Sequence, residues 1–418
     1  MSLDLRDWPL KLTPLKLTDL PETAYLVGGA VRDALLGRQR EAVDLDVVLA
    51  TGAIELARSI AGRYDAGFVV LDRERQIARV VFAQGTLDVA AQVGDSIEAD
   101  LRRRDFTVNA IAYQPHRQEW VDPLEGRRDL ADRALRMVSV ENLREDPLRL
   151  LRAYRISAQL NLQMEPTTAQ AIAQQVPNLR LVAAERVRAE LDYLLETPRG
   201  DRALMAASEI QLLRDWLPPW QGQHGVTLPA LSKAIGQLQN LWPNAPLDCS
   251  LPNGRSPLAA ARLACLLGSD LMIAQRALER LKTSRVDQRI LLAILAAKAS
   301  LPADRQSPLD RAAQYQFCKA AGEGFLAAML LALAEGTAPI ALAEAIARWQ
   351  DVTDPVAHPS PPLTGHELMT EFGLPRGPIV GQLLAALERA QALGQIQGSE
   401  GARQFAQRWL QSAQSFPT

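Results

Sequence analysis

The sequence predicts an α/β head with a small mixed β-sheet, followed by a chain that is helical to its end. Three observations predict it. Apolar runs of strand length, at 25–27, 43–49, 68–71, 78–82 and 86–91, crowd the first quarter of the 418 residues. Between them, residues 53–64 place apolar side chains at helical spacing. From Asn142 onward Ala, Leu, Gln, Arg and Glu dominate, the residues with the best helix propensity. The chain is long enough for several domains with cores of their own.

The first strand, 25–27, runs into the turn Gly28-Gly29-x-x-Arg32-Asp33, where glycines let an anion approach backbone N–H groups. The second, 43–49, carries Asp44 and Asp46 in an apolar run. Residues i and i+2 of a strand point to one face, so both carboxylates project together. Held that close they repel unless a cation neutralises them, and hard oxygen ligands favour Mg²⁺. A glycine turn feeding such a pair suits nucleotidyl transfer with two metal ions. The alternative for an Asp-x-Asp strand is a solvated edge. In 86–91, Asp88 stands between Leu87 and Val89 and could bring a third carboxylate from a neighbouring strand, or be an exposed strand residue.

Next comes Asp100-Leu101-Arg102 and then Arg103-Arg104-Asp105-Phe106-Thr107-Val108-Asn109-Ala110. Arginine forks match phosphate oxygens bidentately. A solvated helix start is the plainer reading, but Phe106 and the small residues after it argue for a motif pressed on the core. Farther on stands Glu145-Asp146-Pro147-Leu148-Arg149-Leu150-Leu151-Arg152-Ala153-Tyr154-Arg155. Pro147 suits the first helical residue and Asp146 the cap, with Arg149 one turn on. A carboxylate and a guanidinium side by side can read the Watson–Crick edge of a base. An N-cap with a salt bridge between Asp146 and Arg149 is the structural alternative.

These motifs together resemble the class II tRNA nucleotidyltransferase and poly(A) polymerase family, where they occur in this order. Residues 121–130, from Val121-Asp122-Pro123 to Arg128-Asp129-Leu130, and the helix with Ala184-Glu185-Arg186-Val187-Arg188, match its pattern too. The resemblance is firm over residues 26–192 and loose beyond. It implies a nucleotidyltransferase head at 1–138, a helical neck reading the base at 139–198, a helical body at 199–355 and a helical tail at 356–418. It implies catalysis at Asp44, Asp46 and Asp88, with Mg²⁺ on Asp44 and Asp46. Gly28, Gly29 and Arg32 would grip phosphates. Arg104, Asp105 and Asn109 would orient sugar and triphosphate, with Asp105 on the ribose 2′-hydroxyl. Asp146 and Arg149 would choose the base, with Arg152 and Arg155 in the same nucleotide site. The helix with Arg186 would buttress that reader.

The implied activity is template-independent addition of cytidine, with the terminal adenosine left open, to the tRNA 3′ end from CTP and ATP. Pyrophosphate is released. The tail and body would hold the tRNA elbow. Complete CCA-adding members resemble one another in a flexible loop between the third acid and the Arg-Arg-Asp motif. Here only Val89 to Arg102 intervene, with Gln92-Val93-Gly94-Asp95-Ser96 as the polar part, which resembles members that add two cytidines only. A poly(A) polymerase shares head and neck. A catalytically silent RNA-binding relative is a third reading, against which the intact Asp44, Asp46, Arg104, Asp105, Asp146 and Arg149 argue.

Composition agrees. With 46 basic and 48 acidic residues the chain is no polycation, so RNA must meet a local patch. Residues 101–160 hold twelve Arg against nine acids, a modest excess beside the motifs. Cys249, Cys265 and Cys318, with four histidines, show no zinc spacing and fit small core residues of a cytoplasmic protein. Residues 1–20 lack a signal-peptide core, no run reaches membrane-spanning length, and no membrane partner is expected. Proline-rich breaks at 242–257 and 352–364 read as linkers between helical bundles. Gly377 before Pro378 could seat a phosphate or simply punctuate a helix; His366-Glu367 hints only weakly at metal.

Overall fold

The computed structural model describes residues 15–38, 43–219 and 222–414. Of the N-terminal stretch read above, residues 1–14 lie outside the described residues. The chain forms two compact units, Met1–Arg186 and Val187–Thr418.

The first unit is built on a seven-stranded sheet. Its strands are β1 (Tyr25–Val27), β2 (Val43–Leu49), β3 (Gly67–Asp72), β4 (Ile77–Phe82), β5 (Gly85–Ala91), β6 (Ala112–Gln114) and β7 (Glu119–Val121), in the order β3-β4-β5-β2-β1-β6-β7. β2 and β5 run parallel and every other pair is antiparallel, so the sheet is mixed. The five strands and the helix expected from the pattern are present, the helix (Ala53–Tyr64) at the expected bounds. The short β6 and β7 were not expected, because three residues carry too little alternation to read.

Register divides the sheet into two unlike faces. Leu45, Val47, Ala78, Val80, Leu87 and Val89 lie opposite one another and are fully buried. The helix Ala53–Tyr64 packs on this side, Tyr64 meeting Phe82 edge-on. The other face carries Asp44, Asp46, Asp88 and Arg79. A one-residue slip would exchange these faces, so burial of the apolar set fixes where the carboxylates point. Four more helices matter to the site. They are α1 (Gly28–Leu35), directly after β1, and, with Ala53–Tyr64 as α2, α3 (Ile97–Leu101), α4 (Gly126–Ala131) and α5 (Val140–Glu145); α6 (Leu148–Leu160), α7 (Pro166–Gln175) and α8 (Ala184–Glu196) follow.

The second unit is helical. Phe325–Ala334 is buried at every residue and packs against Gly222–Leu241, Pro257–Leu267 and Arg285–Ala299. Contrary to the expectation that no run reaches spanning length, Arg311–Ala334 does so by length and composition. Most of it is buried among the neighbouring helices, and that packing accounts for its apolar character. Arg262, also fully buried, is satisfied by Asp201 and the carbonyls of Leu195 and Thr197. The break at 352–364 is a packed connection, not a loose spacer: Val356 is buried with Tyr315 and Ala392, and Asp354 accepts from the amides of Val356 and Ala357. All three cysteines are free thiols; Cys265 and Cys318 are buried, and burial pushes both up to about 12. Cys249 is only half-buried. Glu367 closes a capping box with Thr364, which accounts for it without a metal.

Candidate active site

Asp46 lies at the centre of the polar face. Val27 pairs with it on one side and Asp88 on the other. Gly28 follows Val27 with φ of 75°, and a Cβ there would stand 2.5 Å from Asp46 Oδ2. Only glycine fits, both by conformation and by space. Asp44, two residues before, is exposed and accepts from Thr86 Oγ1 at 2.7 Å. No donor among the described residues bonds to Asp46. Burial pushes its carboxyl up to about 6; Arg104 opposes that, while Asp88 and Asp44 add to it and Arg79 opposes it.

Two carboxylates on one face, one of them unsatisfied and raised by burial, form a hard oxygen donor set that fits a divalent cation. Asp88 sits directly across from Asp46, but both its oxygens are taken by Arg79, at 2.7 and 2.8 Å. Among the described residues no three His, Cys, Asp or Glu side chains are grouped to hold a metal.

Asp105 is the opposite kind of acid. Its Oδ1 accepts from the Phe106 amide at 2.8 Å and Asn109 Nδ2 at 2.9 Å, and its Oδ2 from Arg152 Nε at 3.0 Å. Burial alone would raise it; Arg152, Asn109 and the Phe106 amide outweigh burial and hold it below the usual carboxylate range. Asn109 Oδ1 in turn accepts from Arg32 Nη1 at 2.5 Å. Arg32 is itself buried and bonded to Asp33 through Nε and Nη2. Three of the residues expected at phosphate and sugar thus join Arg152 in one chain, Arg32–Asn109–Asp105–Arg152, while Arg104 bonds to Asp100. That chain joins the glycine turn to helix α6.

Helix α6 begins at Leu148, one residue later than the sequence suggested, with Pro147 as its N-cap. Asp146 Oδ1 accepts from the Leu148 amide at 3.3 Å. Its ion pair is with Arg186, at 2.9 Å, and not with Arg149. Arg149 instead donates to the carbonyl of Asn142 at 3.1 Å. Both side chains line a cleft of about 550 Å³ with Asp100, Arg103, Arg104, Val48 and Ala90. Val48 and Ala90 share the strand face of Asp46 and Asp88, so the cleft opens beside the carboxylates. Arg155, farther along α6, bonds Gln159 one turn on.

Three partners escaped the sequence reading. Arg79 takes Asp88, and its alternation with the apolar Ala78 and Val80 on a strand would have placed it on that face. Asn142 donates to the carbonyls of Arg102 and Arg104. Asp100 accepts from Arg104 at 3.1 Å, four residues on, a spacing visible in the sequence.

Residues 24–136 match the poly(A) polymerase head domain, 161–221 the probable RNA- and SrmB-binding site of polymerase A, and 255–402 a tRNA nucleotidyltransferase domain. The chain is similar to a CC-adding tRNA nucleotidyltransferase of Synechocystis sp., 42% identical over 94% of this chain and 95% of that protein. It is also similar to an A-adding tRNA nucleotidyltransferase of Deinococcus radiodurans, 35% identical over 94% of this chain and 97% of that one. In fold it is similar to a CCA-adding enzyme solved with ATP, with a TM-score of 0.70 at 21% identity over 93% of this chain and 91% of the other.

Proposed function

The chain belongs to the tRNA nucleotidyltransferase and poly(A) polymerase-head family, and from that premise we propose that it adds cytidines from CTP to the 3′ end of tRNA, releasing pyrophosphate, and stops before the terminal adenosine. Support for the chemistry comes from the Asp44–Asp46 face, with Gly28 kept clear of Asp46. Asp44 and Asp46 would hold Mg²⁺, which when bound supplies charge neutralisation for the attacking hydroxyl and the triphosphate. Arg79 keeps Asp88 beside Asp46 and limits the charge gathered there. Arg104, whose buried Nε has no partner among the described residues, offers N–H groups to the triphosphate. The chain Arg32–Asn109–Asp105–Arg152 forms the wall against which the glycine turn and the sugar would be placed.

Asp146 and Arg149 would read the base. Arg186 steadies the first, and the Asn142 carbonyl holds one arm of the second. Val48 and Ala90 offer an apolar floor. The division into head, neck, body and tail, the grip of body and tail on the tRNA elbow, and the cytoplasmic setting belong to the same reading. Free thiols are in keeping with the last.

The restriction to cytidine is carried by residues 92–96. They span the gap between β5 and α3 and are fastened along their length. The Gln92 amide donates to the Leu49 carbonyl at 2.7 Å, the Val93 amide to Asp100 at 3.0 Å, and Ser96 caps α3. A segment this short and this tethered has little freedom to act as a lever that re-shapes the reader for a second base. The purified protein should extend tRNA ending at the discriminator base with CTP and leave tRNA ending in CC unextended with ATP. Completion to CCA by this protein alone would overturn the restriction and leave the transferase standing. Adenylation of CC ends alone would make it an A-adding enzyme. Long A tails on unrelated RNAs would make it a poly(A) polymerase.

A further inference from the structure

Asp100 is the point at which two walls of the cleft meet. It is 9% exposed, in the short helix α3 that leads into Arg103 and Arg104. Its Oδ1 accepts from the Val93 amide at 3.0 Å, and its Oδ2 from Arg104 Nη2 at 3.1 Å. The other nitrogens of Arg104 are thereby given a direction. Nη1 lies 3.6 Å from the place a Cβ on Gly28 would occupy, on the side of Asp46. Nε is buried and has no partner among the described residues. A guanidinium on a flexible stem has many rotamers, and one charge-assisted bond removes most of them before any ligand arrives.

We propose that Asp100 is a positioning residue. It fixes Arg104 so that the remaining N–H groups face the triphosphate of the incoming nucleotide, and it ties that orientation to the 92–96 turn. The inference rests on the transferase reading. It makes a prediction opposite to that of simple charge. A carboxylate lining a cleft repels a triphosphate, so its neutralisation by itself would tighten nucleotide binding. If the carboxylate works by aiming Arg104, neutralisation weakens binding instead. Asparagine is the informative replacement. The Val93 amide and Arg104 sit on different oxygens of Asp100, so the amide NH₂ of asparagine must replace one of the two acceptors, at nearly unchanged volume.

The test is equilibrium binding of CTP, without tRNA, to the wild type, Asp100→Asn, Arg104→Gln and the double variant, with thermal melting of each. Asp100→Asn should weaken CTP binding about tenfold, the worth of one charged hydrogen bond. In the Arg104→Gln background it should cost nothing further, because nothing remains to aim. Asp100→Glu, which keeps the charge on a longer arm, should also lose affinity. Unchanged or tighter CTP binding by Asp100→Asn would overturn the proposal, and so would an equal loss in both Arg104 backgrounds. Wild-type extension of tRNA with CTP, run in parallel, separates the two readings. If the wild type extends and Asp100→Asn binds CTP normally, only the positioning role falls. If the wild type itself adds nothing, both fall.

Discussion

Asp46 and Asp105 are two aspartates of one unit, both removed from solvent to a large degree, and they titrate in opposite directions. Asp105 has every neighbour it needs: two N–H donors on one oxygen and Arg152 on the other. Its carboxyl is held low in spite of burial. Asp46 has no donor bonded to it among the described residues, two further acids on its face, and a carboxyl pushed up to about 6 by burial. The first is a finished piece of structure. The second is a charge that the fold places without neutralising, which is how a site waiting for a cation differs from a brace.

The sharpest way to break this contrast is to remove each acid in turn. Asp46→Ala or Asp44→Ala should lower nucleotide incorporation by about a thousandfold or more, the several kcal/mol that a metal ligand supplies in the transition state. Folding and tRNA affinity should hardly change, because Asp46 accepts no hydrogen bond among the described residues and Asp44 gives up only an exposed one from Thr86. Single-turnover extension assays beside melting curves would decide it. Substantial Mg²⁺-dependent turnover in either variant would mean that the catalytic strand is misassigned.

Asp105→Ala should do the reverse in kind. It leaves Arg152 and Asn109 without their acceptor and breaks the chain from the glycine turn to α6. The first unit should lose about 3 kcal/mol, the usual cost of stripping one partner from a buried pair. Chemical denaturation followed by a probe in that unit would measure it. A variant as stable as the wild type would show that the network is ornamental, and the contrast with Asp46 would fail.

Arg149 stands between the two kinds. One of its nitrogens is committed to the Asn142 carbonyl, yet the side chain lines the cleft. Arg149→Ala should cost about 1–3 kcal/mol of discrimination among the four nucleotides, the value of one bidentate base contact, and less in RNA binding. Competition between labelled CTP and the other nucleotides would show it. Unchanged preference would leave Arg149 as a helix brace only.

Much of this was legible in the sequence where a pattern has a short period. The Asp44–Asp46 face follows from strand alternation, and the register with β5 then brings Asp88 opposite Asp46. What sequence could not show was which partner each side chain takes. The structural alternative paired Asp146 with Arg149, one turn away; its ion pair is with Arg186, forty residues on. Asp88 resembled a third acid ready for metal and is embraced by Arg79. Arg32 was expected beside the phosphates, and the sequence did not show that it is buried and bonded to Asn109. In each case the choice depends on which element packs alongside, and that is settled by tertiary packing, not by local spacing. β6 and β7 were missed for a related reason: at three residues each, pairing with β1 and with each other is what makes them strands.

The smallest effect expected is one of pH, and it tests the contrast directly. In the unfolded chain Asp46 titrates near 3.8, and in the folded one near 6. Between those values the folded state binds more protons than the unfolded state, so stability must fall as pH rises through that window. The charged carboxylate is a burden above about pH 6 and none below 3.8. Asp105 runs the other way: its folded value is depressed, so its contribution is present above the unfolded value and is lost as pH falls through the folded one. Asp46→Asn, measured without divalent metal, should therefore match the wild type near pH 4 and exceed it in stability at pH 7. The difference between the two curves should grow between those limits, and Mg²⁺ should reduce it at pH 7 by stabilising the wild type alone. A wild type as stable as Asp46→Asn at pH 7 without metal would mean that Asp46 is already neutralised within the fold, and that it is a brace like Asp105.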